Sequence, residues 1–387
     1  LFQTDWYIDQ MKRKAYESDP VPSQLTHDLY KYGTNDYIII NPVIKDTLEI
    51  KQFLNFIDSD NPKTKYKYVL EQEGVDLSQV RSQDLKMSYL PTEFLRLPVN
   101  KKNALNSGIV REKDADKIVP YIDIHITGGA LYKNRLLMLD IVANNEWKRP
   151  IYFTGGSFGD DDYLWMKDYL QLDGMCYKLV PIKSALDKAN PFEMGRVDAD
   201  LMYEKVKTWD WGNSGSPDIY HDPETRKNSI TYRSNLARLI EKLINEKKLD
   251  KAEEIADIAM TNMPVEYFGY YTLLEPYIGA YYEVGNKEKA QQLFKEVAKK
   301  YQENLTYYSS LEKDNQERLF EDIYTDIQRY KGLVDVLVEY DTEFAKTEGN
   351  TFNNYLLLLK SLYGEQESSN EQREDIDIPT DSSQKIE

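Results

Sequence analysis

The residues of this chain whose types suit metal binding are its 3 histidines and the aspartates close to them. Asp123 and His125 are two positions apart in an apolar run, which places both side chains on one face of a predicted strand. His221 precedes Asp222 in a polar segment. A metal site needs three or four converging ligands with an oriented outer shell, and this spacing does not force convergence. We therefore expect hydrogen-bonded core or surface histidines and no metal site.

The segment Thr154 to Gly159 follows a predicted strand and superficially resembles a turn that cradles phosphate. It lacks the spacing of a dinucleotide fingerprint or a P-loop, and Asp160, Asp161 and Asp162 follow, where a phosphate would lie. Adjacent aspartates offer oxygen ligands for calcium, but they do not form an EF-hand loop. We favour a solvated loop with a helix N-cap, and we expect no cofactor. The sequence also shows no nucleophile motif for hydrolysis.

Aromatic residues near loop signals are the candidates for ligand binding. Trp165 lies near one predicted loop, and Trp209 and Trp211 lie near another, in a chain with 31 Tyr and 5 Trp. Aromatic faces with polar tips suit peptides or sugars. Lys148 and Arg149 form a basic corner suited to an anionic ligand such as a sugar-lipid phosphate. The alternatives are core packing for the aromatic rings and a structural ion pair or helix-end charge for the two cations.

The elements that position these residues change character along the chain. Leu136, Leu139 and Val142 have helical spacing, and after Pro150 the run Ile151–Phe153 predicts a short buried strand. Further β-rich runs at 36–40, 121–126 and 175–180 alternate with helical stretches, whereas 55–80 predicts a loop or a peripheral insertion. This alternation predicts an α/β domain over residues 1–215.

A second, all-helical domain is predicted over residues 229–363, after a linker at 216–228 that is rich in Gly, Ser, Pro and Asp. Lys287–Leu293 repeats the pattern of Leu249–Ile255, each after an amphipathic helix, at an offset longer than the ~34 residues of tetratricopeptide (TPR) repeats. The sequence thus predicts TPR-like helical hairpins whose first helices bind a protein partner. The candidate partner-binding residues are Tyr232, Arg233, Tyr270 and Tyr277. The acidic tail at 364–387 predicts disorder.

Charge and hydropathy exclude two classes of partner. The net charge of -17, from 66 acidic and 49 basic residues, argues against nucleic acid, because phosphate binding needs clustered cations. No stretch approaches the ~18 uninterrupted apolar residues of a membrane helix, so no direct membrane span is expected. Cys176 is the single cysteine, and no internal disulfide is therefore possible.

Several segments together resemble a known family. They are Asp5–Met11 with Leu25–Asp28, Leu90-Pro91, the corner from Leu136 to Gly156, Tyr169–Gly174 running into Tyr177–Ile182, and Trp211–Asn213. Over roughly residues 1–300 the chain resembles the soluble C-terminal half of a family of large bacterial membrane proteins, long labelled only as a domain of unknown function. That family is grouped with the multi-span, lipid-phosphate-sugar-dependent (GT-C type) glycosyltransferases and is similar to the animal transmembrane protein O-mannosyltransferases.

The resemblance implies a non-catalytic, extracytoplasmic region on the periplasmic face of the inner membrane. Catalysis then belongs to a membrane half outside this chain, which alone is expected to be inactive. The implied partners are an acceptor polypeptide or the membrane domain of the same protein. Two alternatives remain open: a free-standing TPR-like scaffold without sugar chemistry, and a self-sufficient hydrolase in the α/β half.

Overall fold

The computed structural model describes residues 1–15, 18–155, 159–184 and 194–363. The chain divides into two compact units, the first from Leu1 to Asp198 and the second from Ala199 onward. The segment 216–228, predicted as a linker, lies within the second unit. The predicted disordered tail at 364–387 and positions 156–158 of the predicted turn lie outside the described residues.

The first unit combines short helices with small sheets. Its helices are α1 (Asp5–Met11), α2 (His27–Tyr30), α3 (Ile50–Asp58), α4 (Tyr66–Gln72), α5 (Lys101–Asn106) and α6 (Lys133–Asn145). Its strands are β1 (Tyr37–Ile40), β2 (Leu48–Glu49), β3 (Tyr89–Leu90), β4 (Phe94–Pro98), β5 (Tyr121–His125), β6 (Ala130–Tyr132), β7 (Tyr152–Phe153), β8 (Leu170–Asp173), β9 (Cys176–Leu179) and β10 (Arg196–Val197). The predicted strands are therefore present, as is the mixture of helices and strands.

The strands form small mixed sheets rather than one layer. Their orders are β3-β1-β6, β2-β4-β5 and β10-β8-β9-β7 among the described residues. The longest ladder pairs β4 with β5 antiparallel, from Phe94 opposite His125 to Pro98 opposite Tyr121. Along β5, Ile122 and Ile124 are buried while the alternate side chains are exposed. This confirms that Asp123 and His125 lie on the same face of a strand.

Helix α6 and strand β7 confirm the predicted helix, corner and strand. Leu136, Leu139 and Val142 are buried along α6, and the helix ends where Glu146 and Trp147 adopt left-handed backbone conformations. By contrast, the region 55–80, predicted as a loop or a peripheral insertion, is not a loop, because it contains the end of α3 and all of α4. Helix α4 buries only Val69 and Leu70, which is too short an apolar stripe to stand out among polar neighbours.

The second unit is helical. Its helices are α7 (Ala199–Lys207), α8 (Pro223–Asn245), α9 (Leu249–Asn262), α10 (Val265–Phe268), α11 (Glu275–Glu283), α12 (Lys287–Ser309), α13 (Lys313–Arg318), α14 (Phe320–Tyr340) and α15 (Thr342–Tyr363). Short connections join the packed pairs α8 with α9, α11 with α12, and α14 with α15, and adjacent pairs also pack together. Leu236, Leu239 and Leu243 form the buried stripe of α8 that the spacing predicts.

No helix in the described ranges combines the length and the apolar character that crossing a lipid bilayer requires.

Candidate functional site

An aromatic cluster in the second unit brings together three residues that the sequence singled out. The ring centroids of Trp209 and Trp211 are 5.6 Å apart, and the Tyr232 ring lies 5.4 Å from the first and 5.3 Å from the second. The rings meet edge to face or tilted, the geometries that aromatic quadrupoles prefer. All three side chains are half-buried, so each presents part of its surface to solvent.

The loop that follows α7 holds the cluster in place. The Asp210 carboxylate accepts a hydrogen bond from the backbone N–H of Gly212 at 2.9 Å, and the Ser214 hydroxyl donates to the carbonyl oxygen of Asn262 at 2.8 Å. A Cβ atom built at Gly215 would overlap the backbone carbonyl oxygen of Thr261. Only glycine therefore allows the loop to approach the end of α9 so closely. This anchoring places Trp211 against Tyr232 of α8.

The polar tips of the cluster are available to a ligand. Among the described residues, the indole N–H groups of Trp209 and Trp211 and the Tyr232 hydroxyl have no hydrogen-bond partner within the chain. A buried tryptophan or tyrosine usually satisfies this group internally, whereas a binding surface keeps it for the partner. The cluster thus offers apolar ring surface and three hydrogen-bonding groups, a combination suited to peptide or carbohydrate.

Arg233 and Tyr277, predicted to face a partner, are instead fully buried. The Arg233 guanidinium donates hydrogen bonds to the backbone carbonyl oxygens of Met263 at 2.7 Å and Gly269 at 2.5 Å. Burial lowers its pKa to about 10. The Tyr277 hydroxyl donates to the carbonyl oxygen of Arg233 at 2.8 Å. The prediction for these two residues is corrected: they link helices inside the unit.

Tyr270 keeps a half-buried side chain, but its backbone is part of the same internal network. It adopts a left-handed conformation with a φ of 44°, and its carbonyl oxygen accepts a hydrogen bond from Arg233 at 3.2 Å. Of the four predicted partner-binding residues, Tyr232 is the one that joins the aromatic cluster.

The other predicted ligand-binding residues belong to the first unit and have internal partners. The Trp165 indole N–H donates to the Thr127 hydroxyl at 3.2 Å. Lys148 forms an ion pair with Glu146 at 2.8 Å, and this hydrogen bond, with a second from Lys51, lowers the pKa of Glu146 to about 2.

Arg149 donates to the backbone carbonyl oxygen of Pro20 at 3.2 Å. Together with the Lys148 ion pair, this contact agrees with the structural alternative for the basic corner, and ligand binding by these two residues stays a prediction.

The histidines occupy aromatic surroundings. His125 stacks on Phe94 with ring centroids 4.8 Å apart, and Asp123 beside it is bound through both carboxylate oxygens by Arg96, at 2.6 and 2.8 Å. His221 is buried, with its ring 4.5 Å from that of Phe268. Within the parts of the chain that the structure describes, no three His, Cys, Asp or Glu side chains converge as a metal site requires.

Sequence reasoning missed a polar face on the sheet β10-β8-β9-β7. The pairing places Arg196, Gln171, Lys178 and Tyr152 side by side across the four strands. Gln171 and Lys178 are buried, and the Lys178 ammonium lies 3.6 Å from the Asp173 carboxylate, which also accepts a hydrogen bond from Tyr152 at 3.0 Å.

Burial and this carboxylate raise the pKa of Tyr152 to about 12. Three segments that carry the family resemblance, the corner, Tyr169–Gly174 and Tyr177–Ile182, supply Tyr152, Gln171, Asp173 and Lys178 to this face. The sequence signal for this face was a pair of polar residues at alternate positions, Gln171 and Asp173.

An open cleft of about 880 Å³ lies elsewhere in the first unit, beside α2 and α3. Its lining mixes carboxylates and lysines, including Asp28, Asp58 and Lys65. The Lys65 ammonium donates to the Ser88 hydroxyl at 3.3 Å, and burial lowers its pKa. The described lining of the cleft is mostly polar and contains no aromatic residue on which a sugar ring would stack.

Comparison with known proteins assigns the family. Residues 1–201 match the family model described as TMEM260-associated domain 2. The match covers more than half of the chain, and the chain therefore belongs to this family, a domain of TMEM260-like membrane proteins. Neither a curated protein nor a solved structure matches the chain. The aromatic cluster lies beyond the matched residues, in the helical unit.

Proposed function

We propose that this chain is the non-catalytic, extracytoplasmic region of a membrane-bound glycosyltransferase similar to the protein O-mannosyltransferases, and that it positions an acceptor polypeptide. Membership of a TMEM260-like membrane protein family over residues 1–201 supports the association with a membrane enzyme. The sugar chemistry rests on the resemblance to the GT-C group. In such enzymes the lipid-linked donor binds in the membrane half, so the polar region outside the bilayer is free to hold the acceptor.

The aromatic cluster is the observation that carries the polypeptide-binding role. Trp209, Trp211 and Tyr232 combine half-exposed rings with hydrogen-bonding groups that no described residue of the chain occupies. Aromatic side chains are enriched in protein-binding surfaces because they bury a large area with little loss of conformational entropy. The cluster is anchored before binding, since the loop from Asp210 to Gly215 contacts the end of α9 through Ser214 and Gly215. A preorganised surface loses less entropy when a flexible polypeptide binds.

The helical unit supplies the scaffold for this surface. Its successive pairs, α8 with α9, α11 with α12, and α14 with α15, pack in the order expected of TPR-like hairpins. We assign the chain to the periplasmic face of the inner membrane on the basis of the family resemblance. The free-standing scaffold without sugar chemistry is the competing proposal, and the same helices support it equally.

The test uses the complete membrane protein, reconstituted in lipid with a polyprenyl-phosphate sugar donor and an unfolded polypeptide acceptor. We expect Trp211→Ala to raise the KM for the polypeptide about tenfold, with kcat nearly unchanged, because the cluster contributes binding and no chemistry. Tyr324→Ala is the matched control, since that ring is 52% exposed on the same unit. The isolated chain should transfer no sugar.

Two outcomes contradict the proposal in different ways. Sugar transfer by the isolated chain would place a catalytic centre within it. Polypeptide binding that depends on Trp211, in a complete protein without any transfer activity, would favour the scaffold.

A further inference from the structure

Just before strand β5, the Val119 N–H donates to the Pro181 carbonyl oxygen at 2.9 Å. Strand β5 itself is an edge strand of the sheet β2-β4-β5. It pairs with β4 through all five of its residues, and no described strand pairs with its other side. Edge strands expose a row of backbone N–H and C=O groups that can pair with a strand from another chain.

The direction of each backbone group follows from the ladder. Hydrogen bonds from Val99 N–H to the Pro120 carbonyl and from Ile126 N–H to the Glu93 carbonyl flank the β4–β5 pairing, at 3.0 and 2.8 Å. Bonded and non-bonded pairs alternate in an antiparallel ladder, so the backbone groups of Tyr121, Asp123 and His125 point away from β4. Among the described residues these groups have no hydrogen-bond partner.

The side chains on the exposed face of this sheet define which strand would fit. Across the three strands, Glu49 lies opposite Arg96, and Arg96 lies opposite Asp123. Charge therefore alternates from negative to positive to negative across the sheet, and hydrogen bonding to Asp123 raises the pKa of Arg96. A fourth strand beside β5 completes this alternation with a cation opposite Asp123.

Aromatic residues flank this charged row on both sides. His125 is stacked on Phe94, and the Arg96 guanidinium lies 3.7 Å from the centroid of the Tyr121 ring. Tyr121 and Phe94 are 42% and 40% exposed, so both rings offer apolar surface. Positions two residues before and after the cation of an added strand lie opposite His125 and Tyr121 and suit apolar or aromatic side chains.

We propose that β5 binds an extended polypeptide by strand addition, with a Lys or Arg opposite Asp123 and apolar residues two positions to either side. Backbone hydrogen bonds to Tyr121, Asp123 and His125 provide the attachment, and the alternate side chains provide the selection. The net charge of -17 favours such a basic segment. This inference rests on the proposed role in holding a polypeptide, but it concerns the first unit and not the aromatic cluster.

The experiment measures binding of two fluorescein-labelled peptides to the full chain. One has the core Phe-Thr-Lys-Thr-Phe, and the other carries Glu in place of Lys. We expect the Lys peptide to bind about tenfold more tightly, because the Glu peptide places like charges opposite each other.

Asp123→Ala and Asp123→Pro both remove the carboxylate, but only the proline also removes the outward N–H. The alanine variant should bind both peptides equally. The proline variant should lose about tenfold more affinity than the alanine variant.

Two further measurements keep the test decisive if Asp123→Pro unfolds the chain. The pair His125→Pro and His125→Ala repeats the comparison at the next outward-facing position. Hydrogen exchange on the unmodified chain should slow at the amides of Tyr121, Asp123 and His125 when the Lys peptide binds.

Equal binding by the proline and alanine variants, with unchanged exchange at these amides, would overturn strand addition. If Trp211→Ala still raises the KM of the complete enzyme in that case, the proposed function stands without this inference.

Discussion

The Tyr277 hydroxyl donates a 2.8 Å hydrogen bond to the backbone carbonyl oxygen of Arg233, whose own guanidinium binds carbonyl oxygens that follow α9 and α10. The two side chains thus connect α8 and α11 to the ends of two other helices. Carbonyl oxygens at helix C-termini lack partners within their helix, and a cation is a favourable partner for them. Arg233, which the sequence suggested as a partner-binding residue, therefore links helices inside the unit.

Replacement of Arg233 tests how much these hydrogen bonds stabilise the unit. Arg233→Met retains much of the side-chain volume but leaves the carbonyl oxygens of Met263 and Gly269 without donors. Chemical denaturation should show a loss of about 2–4 kcal/mol in the free energy of unfolding. Arg318→Met, at an exposed position of α13, is the control and should change the value by less than about 0.5 kcal/mol. A loss no larger than that of the control would mean that the guanidinium contributes little to the unit.

Substitution of Gly215 tests whether the loop after α7 fixes the position of the aromatic cluster. Gly215→Ala forces the loop away from Thr261, so we expect weaker polypeptide binding although every aromatic residue is retained. Gly212→Ala is a matched control in the same loop, where a Cβ meets no atom within 4 Å and the cost is limited to a φ of 57°. Crystal structures or chemical shifts of the variants should show a displaced Trp211 only for Gly215→Ala. Unchanged rings in that variant would show that the loop is not what fixes them.

The burial of Asp140 predicts that the stability of the fold depends on pH. This residue of α6 is buried, and burial raises its pKa above the ordinary value of 3.8, although Gln24 N–H donates to it at 3.0 Å. The folded state therefore binds the proton more tightly, and this carboxyl stabilises the fold at low pH and ceases to do so as pH rises through its folded-state pKa.

Asp140→Asn should be more stable than the unmodified chain at pH 7, and the difference should shrink as pH approaches 4. Thermal unfolding across that range is the measurement, with exposed Asp116→Asn as the control. A difference that does not vary with pH would rule out titration of Asp140 as its source.

The polar sheet face predicts coupling between Lys178 and Asp173. Their side chains are 5% and 1% exposed, so either charge alone would be costly in this environment. Lys178→Met should cost about 3–5 kcal/mol, the usual penalty for removing one partner of a buried pair. The double variant Asp173→Asn, Lys178→Met should lose less than the sum of the single variants. Additive losses in a double-mutant cycle would show that the two groups do not interact.

Local patterns predicted many of the elements, although not α4, whereas contacts distant in sequence decided the roles of the site residues. The helix at 133–145 and strand β7 follow from apolar spacing and from Pro150, information that neighbouring residues carry. The proximity of Trp209 and Trp211 to Tyr232 was not predictable, because it depends on the contact of Gly215 with a helix end nearly fifty positions later. Arginine is usually a surface residue, so the sequence offered no reason to expect a buried Arg233. Its burial depends on backbone carbonyl oxygens that converge on it from distant parts of the sequence. The division at Asp198 likewise reflects packing of α7 with α8 and α9, which composition does not show.

Strand β5 also bears on pairing between two copies of the chain. Two copies that paired antiparallel along this edge, centred on Asp123, would bring the two Asp123 carboxylates directly opposite each other. Like charges facing each other destabilise a strand pair, and natural sheets use such charges to protect exposed edges. The carboxylate proposed to select a cation in a bound strand therefore also opposes pairing of the chain with a second copy, so selection of a partner and discrimination against self-pairing depend on the same atoms.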